Sequence, residues 1–480
     1  MIDSRQIGVV LTVFLSVIIL WVGSAIPKKR EINRQCFLPQ NVIQDIAAYA
    51  NVTIQIIDYF TKGPYKGQSW KHLANFVDRF GNRMTGSQSL EDSIDYMVNI
   101  SMENGLENVH TEDVKVPHWV RGKESAKLLK PRIKALRMLG LGGSVGTPPE
   151  GITAQAIVIQ TFEELYALSD EKVNGKLIVY APKFTNYAST VPYRLSGASE
   201  AAKKGAVAVL VRSLTPYSHA TPHTGLIQYY ESVTKIPAAS ITCEDADQLL
   251  RMQNSGYNLT IQLTMSATSR GTTISRNTIA DFKGSTLEKK VVFVSGHLDS
   301  WDVGDGAMDD GGGVFISWLA PVVLKKLNLR PRRTLRTILW TGEEQGFIGA
   351  IAYEKAHRKD NDDLNFVMES DYGTFSPLGL TYKGSKTGEC MMREILKLFE
   401  SINATQLVLT EPGPDIRFWT NQGIPGGGLH NENQNYFWYH HSEADSMNLI
   451  ETDAFDRSAA FWTAFSYIVA DLQHDIPRND

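Results

Sequence analysis

The spacing of apolar residues changes along the chain and divides it into three parts. Apolar residues recur at helical spacing over 70–80 and 90–102, and residues 107–119 alternate as in a half-buried strand. The middle part, from about residue 120 to 270, contains one predicted helix, 197–204, among short β-type runs. These runs cover residues 153–160, 176–180, 206–211, 237–241 and 259–265.

After residue 277 the pattern becomes strand, loop and helix. Continuous apolar runs at 291–294, 334–340 and 364–368 are typical of strands buried on both faces. Helical spacing over 313–326 and 453–472 predicts the helices between and after them. This alternation predicts an α/β fold with a mostly parallel central sheet flanked by helices. We assign 46–119 and 271–480 to that domain, and 120–270 to an inserted β-rich domain.

The N-terminus carries an apolar run over 7–26, with small residues just before its end. This pattern predicts a signal peptide, residues 1–25, cleaved after Ala25. A retained membrane anchor is the alternative, because the run is long enough to cross a bilayer. Residues 26–45 are interpreted as a pro-segment or a linker. We expect no membrane association once the leader is cleaved.

Four glycosylation sequons support export from the cytosol. In a secreted protein, or one in an ER–Golgi–lysosome lumen, each is a candidate glycan site on the surface. The acceptor residues are Asn51, Asn99, Asn258 and Asn403.

Length and charge narrow the class of protein. A chain of 480 residues is long enough for two or three domains. Its 48 basic and 52 acidic residues give a net charge of −4, so we expect no nucleic-acid partner. Three cysteines exclude a disulfide scaffold and leave two alternatives, buried thiols or one bridge with a free thiol. They are Cys36, Cys243 and Cys390.

Residues of metal-ligand type follow each predicted buried strand. His297 and Asp299 follow the first strand, Glu343 and Glu344 the second, and Asp371 the third. In open α/β sheets, ligands bind beyond the carboxyl ends of the strands. The three segments should therefore meet at one edge of the sheet.

Two further segments add candidate ligands. Asp309 and Asp310 precede three glycines and a predicted helix, and His440 and His441 lie late in the chain. Mixed imidazole and carboxylate ligands suit Zn²⁺. Each residue alone has an ordinary structural explanation, but together they exceed what one tetrahedral zinc needs. The set predicts two zinc ions per chain that share a bridging carboxylate.

The order of these motifs resembles that of the co-catalytic zinc aminopeptidase/carboxypeptidase family, which includes bacterial zinc aminopeptidases and glutamate carboxypeptidases. The similarity runs through His297-x-Asp299, Asp309-Asp310-Gly311, Glu343-Glu344, Glu369-Ser370-Asp371 and His441-Ser442. Longer stretches at 116–126, 146–154 and 295–304 extend it over nearly the whole chain after the leader.

The resemblance implies a role for each ligand-type residue. Asp309 would bridge both metals, His297 and Asp371 would complete one set of ligands, and Glu344 with His441 the other. Glu343 would be the general base, taking a proton from a water held between the metals to give the attacking hydroxide.

Supporting roles also follow from the resemblance. Asp299 would orient the ring of His297, and Asp445 would support His441 in the same way. The peptide bond after Asp309 would be cis. Several relatives have a Tyr before the late metal-binding His to assist the oxyanion. Here that position is His440, so this role is open between His440, Tyr439 and the metal alone.

The resemblance implies a secreted or lysosomal metallo-exopeptidase that hydrolyses short peptides, foremost dipeptides with free termini. Residues from about 120 resemble protease-associated domains, which would cover the cleft and exclude longer substrates. The relatives suggest a homodimer. Two alternatives remain on the same fold: a glutaminyl-cyclase-like acyltransferase with one working zinc, and a non-catalytic receptor-type protein.

Overall fold

The computed structural model describes residues 36–480. The predicted signal peptide and the start of the interpreted pro-segment lie outside the described residues. None of the helices within 36–480 combines the length and the apolar character needed to cross a bilayer.

The strands within residues 36–480 form two sheets of eight. In chain order they are β1 (Glu107–Val120), β2 (Glu124–Lys130), β3 (Lys134–Leu136), β4 (Met138–Gly140), β5 (Ile152–Ile159), β6 (Leu177–Tyr180), β7 (Ala208–Arg212), β8 (Ala238–Ile241), β9 (Leu259–Met265), β10 (Thr268–Phe282), β11 (Leu287–His297), β12 (Arg333–Trp340), β13 (Leu364–Glu369), β14 (Pro377–Lys383), β15 (Gln406–Leu409) and β16 (Gly426–Asn431).

Helices precede the first strand and alternate with later ones. The α-helices are α1 (Gln40–Ala47), α2 (Ala50–Thr61), α3 (Gln68–Phe80), α4 (Gln88–Glu103), α5 (Phe162–Ala167), α6 (Asp170–Val173), α7 (Tyr187–Leu195), α8 (Gly197–Lys203), α9 (Cys243–Asn254), α10 (Gly312–Lys326), α11 (Ile348–His357), α12 (Lys386–Leu396), α13 (Arg417–Thr420), α14 (Tyr436–Tyr439) and α15 (Thr452–Asp471). Short 3-10 turns cover Arg358–Asp363, Lys397–Ile402 and Met447–Leu449, and a π-type turn covers Ala307–Gly311.

The first sheet has the order β1-β10-β12-β11-β13-β16-β14-β15. Its four central strands, β12, β11, β13 and β16, are parallel, and antiparallel pairs lie toward both edges. The α/β class is therefore confirmed, with a parallel centre in a mixed sheet. The apolar run of β11 is buried on both faces, which is why its pattern is continuous rather than alternating.

The second sheet has the order β3-β2-β9-β5-β6-β7-β8-β4 and uses only strands between residues 124 and 265. Strands β5 to β8 are mutually parallel; helices connect β5 to β6 and β6 to β7, and a segment without helix connects β7 to β8. All five predicted β runs of this region are strands. The region has more helix than expected, because α7 and α9 carry only short apolar stripes among polar residues. Its status as an inserted domain of the protease-associated type stays a prediction.

Hydrophobic side chains cover both faces of each sheet. The largest cluster joins one face of the first sheet to the N-terminal helices, α10 and α15, and includes Phe76, Trp318 and Trp462. A smaller cluster around Trp340 and Trp419 covers the other face. Packing on both faces leaves the carboxyl ends of the central strands as the place where polar side chains gather.

Candidate metal centre

Three neighbouring parallel strands bring the first candidate residues together. In the register of β11 and β12, His297 lies opposite Trp340, and β13 pairs on the other side of β11. The chain after β12 carries Glu343 and Glu344, and the chain after β13 carries Asp371. The sheet thus places these side chains at one edge, as the sequence predicts.

Asp309 lies in the turn before α10 and faces two histidines with its two carboxylate oxygens. Its Oδ1 is 3.2 Å from Nε2 of His297, and its Oδ2 is 3.4 Å from Nε2 of His441. The side chain is buried, and Oδ2 has no hydrogen-bond partner within residues 36–480. The peptide bond between Asp309 and Asp310 is cis, as the resemblance implies.

Each histidine also meets a second carboxylate. Nε2 of His297 is 3.0 Å from Oδ1 of Asp371, and Nε2 of His441 is 2.9 Å from Oε2 of Glu344. Asp309 therefore stands between two His–carboxylate pairs, which is the division of ligands that the resemblance implies.

Asp310 and a close backbone approach hold the turn of Asp309 in place. The buried Asp310 carboxylate accepts hydrogen bonds from the amides of His297, at 3.0 Å, and Gly313, at 3.1 Å. A Cβ at Gly313 would lie 2.0 Å from the carbonyl oxygen of Ser370, so only glycine fits at the start of α10. The sequence did not indicate this structural role for Asp310.

Asp299 supports the site differently from the prediction. Its backbone carbonyl, 2.9 Å from Nδ1 of His297, orients that ring, whereas its carboxylate oxygen is 3.9 Å away. The carboxylate instead accepts the amide N–H groups of Glu343, at 3.1 Å, and Glu344, at 3.3 Å. Asp299 thus fixes the turn that carries the predicted base.

Asp445 also binds backbone rather than an imidazole ring. Its two oxygens accept the amides of Met308, at 2.7 Å, and Asp309, at 3.1 Å. The expectation that it supports His441 is therefore wrong, and it positions Asp309 instead. The physical reason is that a carboxylate with two oxygens can accept two adjacent amide N–H groups.

His440 is the residue that contacts the centre, and Tyr439 is not. Nε2 of His440 is 3.6 Å from Oδ2 of Asp309, and its ring stacks on that of His441 at 3.5 Å between centroids. Tyr439 packs against the main hydrophobic cluster. Burial lowers the pKa of His440 well below its usual value, and the neighbouring His441 adds to this, so the ring is neutral.

Two residues near the centre escaped sequence analysis. The indole N–H of Trp301 donates to Oε2 of Glu344 at 2.5 Å. The fully buried guanidinium of Arg83 donates to the carbonyls of Leu298 and Gly306, which shapes the loop after His297. Arg83 had no motif to mark it, and Trp301 lies in the 295–304 stretch but received no role, because both roles depend on where distant segments fold.

Segments of the second sheet's region also reach the centre. Nδ1 of His441 is 3.3 Å from the carbonyl oxygen of Thr224, whose amide donates to the His441 carbonyl at 2.8 Å. His223 contacts the carbonyl of His440 at 2.6 Å, and Arg194 lies beside His441. These contacts link positions more than 200 residues apart, which no local pattern could reveal.

A second pair of buried acids lies behind Asp371. Glu369 accepts hydrogen bonds from the amides of Asp415 and Ile416. Both carboxylate oxygens of Asp415 are buried without a partner in the described residues. Burial raises the pKa of Glu369 to about 8, and the Asp371 carboxylate contributes.

The centre holds more acidic groups than can ionise together. Burial raises the pKa of Glu343 and of Glu344 well above the usual range, and neighbouring carboxylates add to both shifts. Burial also raises the pKa of Asp371 to about 6 and lowers that of His441 to about 3. A neutral imidazole among crowded carboxylates suits a divalent cation, which would displace the retained protons.

The remaining candidate residues lie away from the centre. All four sequon asparagines, Asn51, Asn99, Asn258 and Asn403, are exposed. Cys243 is a buried free thiol, and burial raises its pKa to about 11.

Comparison with known proteins places these features in a family. Residues 277–466 match the model of peptidase family M28. The chain is 50% identical to carboxypeptidase Q of Xenopus laevis over 434 residues, 90% of this chain and 92% of that protein. It is 45% identical to carboxypeptidase Q of Homo sapiens over 451 residues, 94% of this chain and 95% of that protein.

Solved structures share the architecture. A peptidase M28 precursor from Shewanella amazonensis SB2B superposes with a TM-score of 0.86 at 29% identity, covering 90% of this chain and 99% of that one. BSAP, a zinc aminopeptidase from Bacillus subtilis, superposes with a TM-score of 0.64 at 18% identity, covering 86% of this chain and 99% of that one. The latter likeness shows the fold alone.

Proposed function

The chain belongs to peptidase family M28, as a metallo-exopeptidase related to carboxypeptidase Q, and from this we propose that it hydrolyses dipeptides with free termini at a centre of two zinc ions. The observation that carries the proposal is the position of Asp309, whose two oxygens face His297 and His441 separately. One carboxylate between two imidazoles is the arrangement expected of a bridging ligand.

The residues present fit two divalent metals. Ligand atoms of His297, Asp309 and Asp371 lie within 4.8 Å of one another, and those of Asp309, His440 and His441 do so as well. The orphaned Oδ2 of Asp309 and Oε1 of Glu344 are buried acceptors with no protein donor in the described residues. Burying such oxygens without a partner is costly, and a bound cation would remove that cost.

We assign one zinc to His297, Asp371 and Asp309, and the other to His441, Glu344 and Asp309. Zinc at these positions would polarise the scissile carbonyl and lower the pKa of a bound water. The Trp301 N–H on Glu344 and the Asp299 carbonyl on His297 orient the two ligand side chains. Such outer contacts typically change metal affinity 10–100-fold.

Glu343 is assigned as the general base. The Asp299 carboxylate accepts a hydrogen bond from the backbone amide of Glu343, and this fixes the backbone that carries the Glu343 side chain beside His297. A carboxylate oxygen of Glu343 takes a proton from the attacking water and passes it to the leaving amine. The raised pKa of Glu343 favours the first of these steps, because a stronger base takes the proton more readily. His440, neutral and next to Asp309, is the side chain placed to donate to the developing oxyanion.

The remaining assignments concern the whole protein. We propose that it is a glycoprotein of the secretory route, secreted or lysosomal, and a homodimer, with residues 120–270 as an inserted domain over the cleft. The exposed sequons support glycosylation.

Treating protein from a eukaryotic secretory host with a peptide N-glycosidase should convert occupied Asn to Asp in peptide mass spectra. Unmodified Asn at all four sites would contradict the proposal that the protein is glycosylated.

Hydrolysis under metal control tests the proposed function. A set of free dipeptides should be cleaved by the purified protein, not cleaved after chelation, and cleaved again after Zn²⁺ is added. Cleavage that survives complete chelation would refute the metal requirement. One zinc per chain with cyclisation of N-terminal glutamine would favour the acyltransferase, and no zinc with no turnover would favour the receptor.

A further inference from the structure

Arg194 is a buried cation without a protein anion in the described part of the chain. It lies in the last turn of α7, only 7% exposed, and its Nε has no hydrogen-bond partner in the described residues. Its Nη1 is 3.4 Å from the carbonyl oxygen of Thr224 and 3.5 Å from Nδ1 of His441. None of the ion pairs found within residues 36–480 includes Arg194.

Three other buried arginines of the described residues have an acceptor for the Nε that Arg194 leaves unpartnered. Arg83 donates to four backbone carbonyls, Arg212 pairs with Asp247 at 3.1 Å, and Arg333 pairs with Asp475 at 2.6 Å. A buried charge without a partner is strongly unfavourable, so it persists where a ligand supplies the opposite charge. Arg83 also has no carboxylate partner, but carbonyl oxygens accept its hydrogen bonds. Among these four arginines of the described residues, only Arg194, which lies beside His441, has an Nε without an acceptor.

The surroundings of Arg194 keep its guanidinium near His441. Tyr187 lies two helical turns earlier on the same face of α7, and the Arg194 Cζ is 5.5 Å from its ring centroid. A Cβ at Gly225 would lie 2.2 Å from Nη1, so the glycine leaves the room that the guanidinium occupies. The ring of His441 separates Arg194 from Glu344, since Nδ1 faces Arg194 and Nε2 faces the carboxylate.

We propose that Arg194 binds the free α-carboxylate of the substrate and thereby restricts the leaving side to a single residue. The guanidinium fork matches a carboxylate bidentately. In a dipeptide this carboxylate is one residue from the scissile carbonyl, about 3.5 Å along the chain. Only the ring of His441 separates Arg194 from the centre, so the guanidinium lies within that reach. The inference rests on the proposed function, because it needs a peptide bound there.

A pair of matched substrates separates this role from a structural one. The probes are alanyl-leucine, with a free carboxylate, and alanyl-leucinamide, which lacks that charge. The wild-type protein should prefer the free acid in kcat/KM by about 10–150-fold, the value of one charge-assisted hydrogen bond. In Arg194→Gln that preference should fall to near unity, because kcat/KM for the free acid falls. The kcat/KM for the amide should change by less than about threefold.

Two further variants control the comparison. Arg194→Lys keeps a cation but loses the fork, and should show an intermediate preference; it also serves if the Gln variant does not fold. Arg212→Gln, at a buried arginine of the same region, should keep the wild-type preference. All three are compared at saturating Zn²⁺, where the zinc content should equal that of the wild type. Equal losses on acid and amide, or a wild-type protein without preference, would overturn the role of Arg194 and leave the peptidase assignment standing. Cleavage of neither substrate by the wild type would overturn both.

Discussion

Replacing Glu343 by Gln should lower kcat by about 10²–10⁴-fold while both metals stay bound. General acid–base catalysis contributes rate factors of this size, and Gln keeps the shape of the side chain but cannot accept the proton. The main chain should not move, because the Asp299 carboxylate holds the amides of residues 343 and 344. Steady-state hydrolysis of a dipeptide, together with zinc analysis of the same sample, measures both quantities.

Glu344→Gln is the matched control for this result. It makes the same chemical change one residue later, at a side chain that contacts His441 at 2.9 Å. That variant should lose zinc as well as activity, because an amide is a poor metal ligand. If Glu343→Gln retains turnover with full zinc content, Glu343 is not the base. If it loses zinc in the way that Glu344→Gln does, it belongs among the ligands.

Replacing Asp309 by Asn should remove activity and reduce bound zinc to one ion per chain or fewer. Asn keeps the size of the residue, but it presents one neutral oxygen where the carboxylate presents two charged ones to His297 and His441. The loss should also appear in stability. Zinc at 100 times its Kd stabilises a protein by about 2.7 kcal/mol, and the variant should forgo most of that gain. Thermal unfolding with and without zinc measures it.

Asp305→Asn provides the control for the Asp309 variant. Asp305 precedes Asp309 by four residues, and its side chain is exposed. The same loss of one negative charge there should leave zinc content and turnover unchanged within about twofold, because screening weakens exposed charges. A similar fall in zinc for both variants would mean that overall charge, rather than a bridging carboxylate, holds the metal.

The part of the centre that follows strand ends could be predicted from sequence. The carboxyl ends of β11, β12 and β13 meet because the strands are parallel neighbours, so His297, Glu343 and Asp371 had to converge. A continuous apolar run followed by polar residues is enough to recognise such a position. His441 comes after β16 but beyond the intervening helix α14, so no strand end marks it, and its role came from the resemblance.

Contacts between distant segments could not be predicted. Arg194 and Thr224 reach His441 from 247 and 217 residues away, and nothing near either residue marks it as part of a site. Asp299 and Asp445 were recognised as supporting residues, but their partners were not, because a carboxylate satisfies backbone amides or an imidazole equally well. Only the folded turn around each residue decides which of these groups is nearest.

Zinc anomalous diffraction from crystals of the metal-loaded protein tests the central claim most directly. We predict two peaks, one shared by Asp309, His297 and Asp371 and the other shared by Asp309, His441 and Glu344. A single peak, or a second peak away from Asp309, would contradict a centre of two metals bridged by that carboxylate.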